Sequence, residues 1–265
     1  MAEKTLTGKF VADGGAKIRC CHAMDSYLYL GTGPDGFVYR TRDGLALEEF
    51  YKTGDSYVTA ITDFWGGLFV GTSPGGKILM HNFETGNRFH YVTTGDYKVT
   101  AFAVYNDVLY AGTSPSGLIL SFDGYTWNMG YDAYGSSITR LVTFGENMYV
   151  FLEGVAFVPY LSSQGWGLLK SGEEFFAVSG MKKVTTSISI LQQNENHDFS
   201  FACAAVVSGK MYFSCPGSCN LYAYDGTSVE MVYQWDGTEI KDIVNIENEQ
   251  IAVAVDDMTY VAEIT

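Results

Sequence analysis

The sequence predicts an all-β fold: a six-bladed β-propeller of four-stranded antiparallel blades, its ring closed by the N-terminal strand. Three observations carry that prediction. A glycine-rich string recurs about every forty residues. Turn signals cut each repeat into four short β-rich runs. No run sustains a 3.6-residue apolar period, so almost no helix is expected.

The recurrent string is Gly-Thr-Gly-Pro-Asp-Gly at 31–36, Gly-Thr-Ser-Pro-Gly-Gly at 71–76 and Gly-Thr-Ser-Pro-Ser-Gly at 112–117. Four of the five prolines, Pro34, Pro74, Pro115 and Pro216, fall at its proline position, which chance would not arrange. An aliphatic residue, followed in five of six cases by an aromatic, gives a second column: Leu28, Leu68, Leu109, Met148, Met211 and Ile251. A β-branched residue about ten positions earlier gives a third: Ile18, Val58, Val99, Ile138, Val184 and Ile240.

The offset between the last two columns is 10 or 11 except in the fifth unit, where it is 27. An insertion at about 192–206 is therefore expected between the first two strands of blade five.

Within the second unit the runs are Val58–Thr62, Leu68–Thr72, Lys77–His81 and Arg88–Thr93. Trp65-Gly66-Gly67, Pro74-Gly75-Gly76 and Glu84-Thr85-Gly86 are the turns between them. Proline is tolerated there because inside a central strand it would remove a ladder hydrogen bond. The sixth unit runs out after three strands near Thr259–Ile264, and Thr5–Val11 lacks partners where it stands. The N-terminal run can supply the missing fourth strand and cover two bare sheet edges. A single domain over residues 1–265 follows.

With strands named A to D from the axis outward, the B–C turns and D–A crossovers share one face. That face should carry Asp35, Asp55, Asp96, Asp256 and Asp257, and the inserted loop should project from the other. The polar stretch Gln192, Gln193, Asn194, Glu195, Asn196, His197 and Asp198 is a candidate docking arm, because ring closure needs no insertion.

Composition narrows the function. The formal net charge is −14, from 16 basic and 30 acidic residues, which argues against nucleic acid or an anionic membrane as the main partner. No apolar run reaches the ~18 residues of a membrane span, and residues 1–9 lack a signal peptide's apolar stretch. The expectation is a virion or cytoplasmic protein. Five cysteines are too sparse for a disulfide scaffold. Cys215 and Cys219 flank a hairpin tip, where either a disulfide or two free thiols fits.

The four histidines, His22, His81, His90 and His197, form no His-x-His pair, so no metal site is expected. No nucleophile elbow, P-loop or dinucleotide fingerprint appears, and no cofactor is expected.

The C–D turns read Thr41-Arg42-Asp43-Gly44, Ser121-Phe122-Asp123-Gly124-Tyr125-Thr126-Trp127 and Tyr224-Asp225-Gly226-Thr227. They resemble the Asp-box of sialidase-like propellers, which implies a folding element away from any active site. The repeated turns with the 121–127 hairpin also resemble propeller modules of phage virion proteins and bacterial surface proteins. WD-repeat and Kelch patterns fit less well, since a Trp-Asp dipeptide occurs only at Trp235-Asp236.

A sialidase would need three arginines gripping a carboxylate. The chain has five, of which only Arg19 and Arg140 lie near inner strands. The expected function is thus a non-catalytic binding or assembly module, preferably a virion structural protein bound to other protein subunits. A glycan-binding or glycan-cleaving propeller, with a surface glycan as ligand, is the alternative. An intracellular protein-interaction scaffold is a further one.

Overall fold

The computed structural model describes residues 9–11, 17–42, 46–133, 135–144, 146–153, 157–170, 203–214, 219–224, 229–246, 250–255 and 258–263. Every regular element among them is a strand. The first blade comprises β2 (Lys17–Met24), β3 (Tyr27–Gly33), β4 (Phe37–Thr41) and β5 (Glu48–Lys52), preceded by β1 (Lys9–Val11). The second comprises β6 (Tyr57–Phe64), β7 (Gly67–Ser73), β8 (Lys77–Asn82) and β9 (Arg88–Thr93). The third comprises β10 (Lys98–Tyr105), β11 (Val108–Ser114), β12 (Leu118–Phe122) and β13 (Trp127–Asp132). The fourth comprises β14 (Ile138–Phe144), β15 (Asn147–Leu152), β16 (Phe157–Ser162) and β17 (Gly165–Lys170). The fifth comprises β18 (Cys203–Val207), β19 (Lys210–Ser214), β20 (Asn220–Tyr224) and β21 (Val229–Gln234). The chain ends in β22 (Ile240–Ile246), β23 (Gln250–Val255) and β24 (Met258–Glu263).

These elements correct the expectation of six like blades. Five sheets are complete blades, each of four consecutive strands, β2–β5, β6–β9, β10–β13, β14–β17 and β18–β21. The remaining four-stranded sheet is not a blade of four consecutive strands. It is a composite in the order β1-β24-β23-β22, joining the two ends of the described chain. Its outer strand is only three residues long, with Lys9 opposite Tyr260, Phe10 opposite Thr259 and Val11 opposite Met258. The physical reason is that the C-terminal segment has three strands and leaves an open edge on β24, which the N-terminal strand covers. The inner strands β2, β6, β10, β14, β18 and β22 neighbour one another in turn, and β22 returns to β2.

Successive blades nest through two repeat columns. Ile18, Val58, Val99, Ile138 and Ile240 are fully buried. A Cβ at Gly31 would stand 2.4 Å from Val58, one at Gly71 2.7 Å from Val99, and one at Gly112 2.6 Å from Ile138. The first glycine of each repeated string is therefore a notch for the β-branched knob of the next blade. In the fourth blade Phe151 holds the equivalent place opposite Arg140, so the notch is filled there.

The insertion also needs correction. β18 and β19 pair tightly, Val207 opposite Lys210, across the turn Ser208-Gly209. No insertion separates the first two strands of blade five. Residues 203–206, assigned to it, are strand β18. The extra residues fall between Lys170 at the end of β17 and Cys203 at the start of β18, a D–A crossover. The expectation that they leave from the opposite face is reversed. Val184 was chosen as the β-branched column residue, yet counting ten back from Met211 reaches position 201. The proposed arm, Gln192 to Asp198, lies outside the described residues, as do Val184 and Phe201.

Candidate functional site

The crossover face is built by internal latches. Thr32 Oγ1 donates to Asp35 Oδ1 at 2.7 Å. Asp55 accepts from Thr72 Oγ1 at 2.5 Å and pairs with Lys77 Nζ at 2.8 Å. Asp96 accepts from Thr113 Oγ1 at 2.7 Å and from the amides of Ser116 and Tyr97 at 2.9 and 2.8 Å. Asp55 and Asp96 thus tie each crossover to the B–C turn beside it. Thr53 and Thr94 donate through both amide and hydroxyl to the carbonyls of Gly36 and Gly76. Gly36 needs its positive φ of 66°, and a Cβ there would meet the Asp55 carbonyl at 1.8 Å. The repeated aspartates hold loops together rather than facing outward as a free acidic surface. Asp256 and Asp257 lie outside the described residues. Cys219 is buried and Cys215 is undescribed, so the disulfide expectation also lies outside them.

At the centre of the same face lies a cavity of about 300 Å³, where the inner strands begin. Its lining comes from one backbone device. Inner strands β2, β6, β10, β14 and β22 each carry a bulge within their first residues, between 18/20, 58/60, 99/101, 138/140 and 240/242. The residues left out of the ladders are Arg19, Thr59, Thr100, Thr139 and Lys241, and all five line the cavity. Lys98, Arg140, Glu153 and Glu239 are its other charged groups among the described residues.

These charges are unequally matched. Arg140 donates to Asp242 Oδ1 at 3.0 Å, reaching from the fourth blade to β22 past the short β18. Asp242 also accepts from the amides of Cys21 and Ile243 at 2.8 and 3.0 Å. Burial pushes its carboxyl up, and Arg140 and the two amides oppose that shift. Lys241 pairs with Glu239. The Arg19 guanidinium lies 5.3 Å from the centre of the Tyr57 ring, and its buried Nε has no hydrogen-bond partner among the described residues. Burial lowers the Lys98 ammonium from its usual range, with Arg140 and Arg19 adding to the effect.

On the opposite face an aromatic column runs out of the core between blades two and three. Phe122 stacks on Trp127 at 5.0 Å and meets Phe64 at 6.1 Å; Phe64 stacks on Trp65 at 5.0 Å. Asp123 Oδ1 accepts from the amides of Tyr125 and Thr126, both at 2.9 Å, setting the turn that ends the column. Gly124 leaves room for the Trp65 ring, which would lie 2.1 Å from a Cβ there. The column surfaces as Trp65, 60% exposed, beside Tyr125, 84% exposed.

Trp65 also has a φ of 45°, a left-handed conformation unfavourable for a bulky residue. At the same turn position Asp25, Asn106 and Ser208 have φ of 48–49°, and small polar residues accept that conformation more readily. Sequence reasoning took Trp65 only as a turn residue. The available signal is a tryptophan where three other A–B turns carry Asp25, Asn106 and Ser208.

No protein-family model matches the chain, and no curated protein matches it. Solved structures do resemble it. The RRP9 WD40 repeats superpose with a TM-score of 0.72 at 10% identity, covering 99% of this chain and 100% of that one. A chain of the Mitotic Checkpoint Complex gives 0.71 at 13%, covering 100% and 96%. The streptogramin B lyase gives 0.71 at 14%, covering 98% of each.

The fold is a β-propeller. At these identities the likeness establishes the fold alone. The resemblance to Asp-box sialidases or to phage modules finds no support among these neighbours. No described helix is long and apolar enough to cross a membrane.

Proposed function

We propose that this propeller is a non-catalytic protein-interaction scaffold that docks a partner through Trp65 and Tyr125. The observation that carries the reading is a bulky, exposed tryptophan in a left-handed turn position where three other turns place Asp25, Asn106 and Ser208. Backbone strain of this kind persists where the surrounding structure enforces it, and it clusters at functional sites. Tryptophan and tyrosine are enriched at interface hot spots, and a rigid ring beneath them reduces the ordering cost of binding. The neighbour titled as part of the Mitotic Checkpoint Complex supports a scaffold. The lyase neighbour keeps a turnover assay necessary. Nothing in the fold favours a virion role over an intracellular one, and the scaffold reading requires neither.

The test compares wild type with Trp65→Asn and Trp65→Ala/Tyr125→Ala in affinity capture, then measures each captured partner by calorimetry. A specific partner should bind the double variant at least about thirtyfold more weakly, the scale of one hot spot. Trp65→Asn should fold with undiminished stability, because it relieves the left-handed strain. Equal capture by all three proteins overturns the site. Binding of a neutral oligosaccharide that the double variant loses would favour the glycan reading instead. Turnover of chromogenic glycosides would end the non-catalytic one.

A further inference from the structure

We propose that the axial cavity is a binding site for a small oxyanion that also carries hydroxyl groups, the chemistry shared by sugar phosphates and sugar acids. The cavity is built rather than incidental, since five separate bulges each deliver one side chain to it. Two of its cations are offset by their own partners, Arg140 by Asp242 and Lys241 by Glu239. Arg19 keeps its buried Nε without a hydrogen-bond partner, and Lys98 lines the same cavity with Glu153 as its attracting carboxylate among the described residues. Glu153 is the further carboxylate among the described lining residues. Among the described lining residues, a chain with a net charge of −14 therefore sets four cations against Glu153 and Glu239, with Asp242 on Arg140.

A guanidinium Nε left buried and unpaired keeps its desolvation penalty, a penalty that a bound acceptor would remove. Arg19 and Lys98 come from the first and third blades, so one anion would bridge non-adjacent walls of the ring. Burial disfavours the charged Lys98, Arg140 and Arg19 add to that, Cys20 and Glu153 oppose it, and a bound anion would oppose it further.

The remaining lining decides what else the ligand carries. Thr100 donates to the Gly112 carbonyl at 3.0 Å and Thr139 to the Phe151 carbonyl at 3.1 Å. Thr59 donates to the carbonyls of Gly71 and Val99. With their protons committed to the backbone, these hydroxyls offer lone pairs to the cavity. A bare anion would face three acceptors without a donor of its own. A polyhydroxylated one satisfies both halves, its acid group on Arg19 and Lys98 and its hydroxyls on the threonines. A volume of about 300 Å³ is at the small end of ligand pockets.

The experiment is calorimetry on the full chain in low-salt buffer, with glucose 6-phosphate, glucuronate, inorganic phosphate and glucose as separate probes, and thermal melts alongside. Glucose 6-phosphate, glucuronate or both should bind at least tenfold more tightly than inorganic phosphate, while glucose does not bind. Binding of only one charged sugar identifies the source as phosphate or carboxylate. Arg19→Met and Lys98→Met should each weaken that binding at least tenfold, and Lys52→Met on an outer strand should not. The second variant keeps the test open if the first does not fold. Four outcomes overturn the proposal: no binding by either charged sugar, equal binding of inorganic phosphate, binding of glucose alone, or affinity unchanged in both variants.

Discussion

Gly71 shows how much of this fold rests on single atoms. A Cβ there would press to 2.7 Å from Val99 Cγ1 and 3.3 Å from Phe102. The obstacle is a β-branched side chain, fully buried and stiff at χ1, so it cannot swing aside. Gly71→Ala should therefore destabilise the protein by about 1–3 kcal/mol, the usual cost of overpacking a core. Chemical denaturation checks this. The same change at Gly86, where nothing lies within 4 Å, should cost only what its positive φ imposes. Trp65 is the opposite case, a residue whose conformation is unfavourable and whose side chain the core does not need.

Among elements, the crossovers carry more structure than their loop character suggests. Asp96 accepts three hydrogen bonds, from Thr113 Oγ1 and from the amides of Ser116 and Tyr97. Asp96→Ala would leave those donors to solvent or to each other. The expected loss is about 1–3 kcal/mol, because bonds to a charged acceptor exceed the neutral kind. Hydrogen exchange should show faster exchange at the Ser116 and Tyr97 amides, while the β6–β7 ladder stays protected. Unchanged exchange at those two amides would show that the latch is dispensable. The bulges are the complementary element. Each takes one residue out of a ladder and turns it to the axis, so five inner strands serve packing and cavity lining together.

For the whole molecule, the decisive feature is the composite sheet. Its outer strand contributes a three-residue ladder from the N-terminal segment to β24. At roughly 1 kcal/mol net per hydrogen bond, deleting residues 1–11 should cost about 2–3 kcal/mol. For a domain of this size that lowers Tm by about 5–10 °C, and the bared β24 edge should promote aggregation. Calorimetric melts with light scattering read both effects; a truncated chain that melts like the full one removes β1 from the stability of the ring.

The sequence by itself determined the four-strand period, the glycine turns, the buried β-branched column and the order of strands within each blade. These are local: a turn type demands its glycine and a pleat imposes its alternation, whatever the rest of the chain does. It also placed Asp35, Asp55 and Asp96 on one face, because strand direction alone fixes which turns share a face. Its reading failed where a column residue had to be chosen without partners. Val184 is β-branched and fits the column by residue type, yet β19 pairs with a strand beginning at Cys203. The 63-residue step from Met148 to Met211 already pointed to extra chain between blades four and five. Only the tertiary structure decided that the aspartates are engaged by their own loops, that Trp65 reaches solvent over Gly124, and that Arg19 and Lys98 line one cavity at the axis. Each is a relation between residues from 17 to 79 positions apart, and ring closure, which brings such residues together, leaves no periodic trace in the chain.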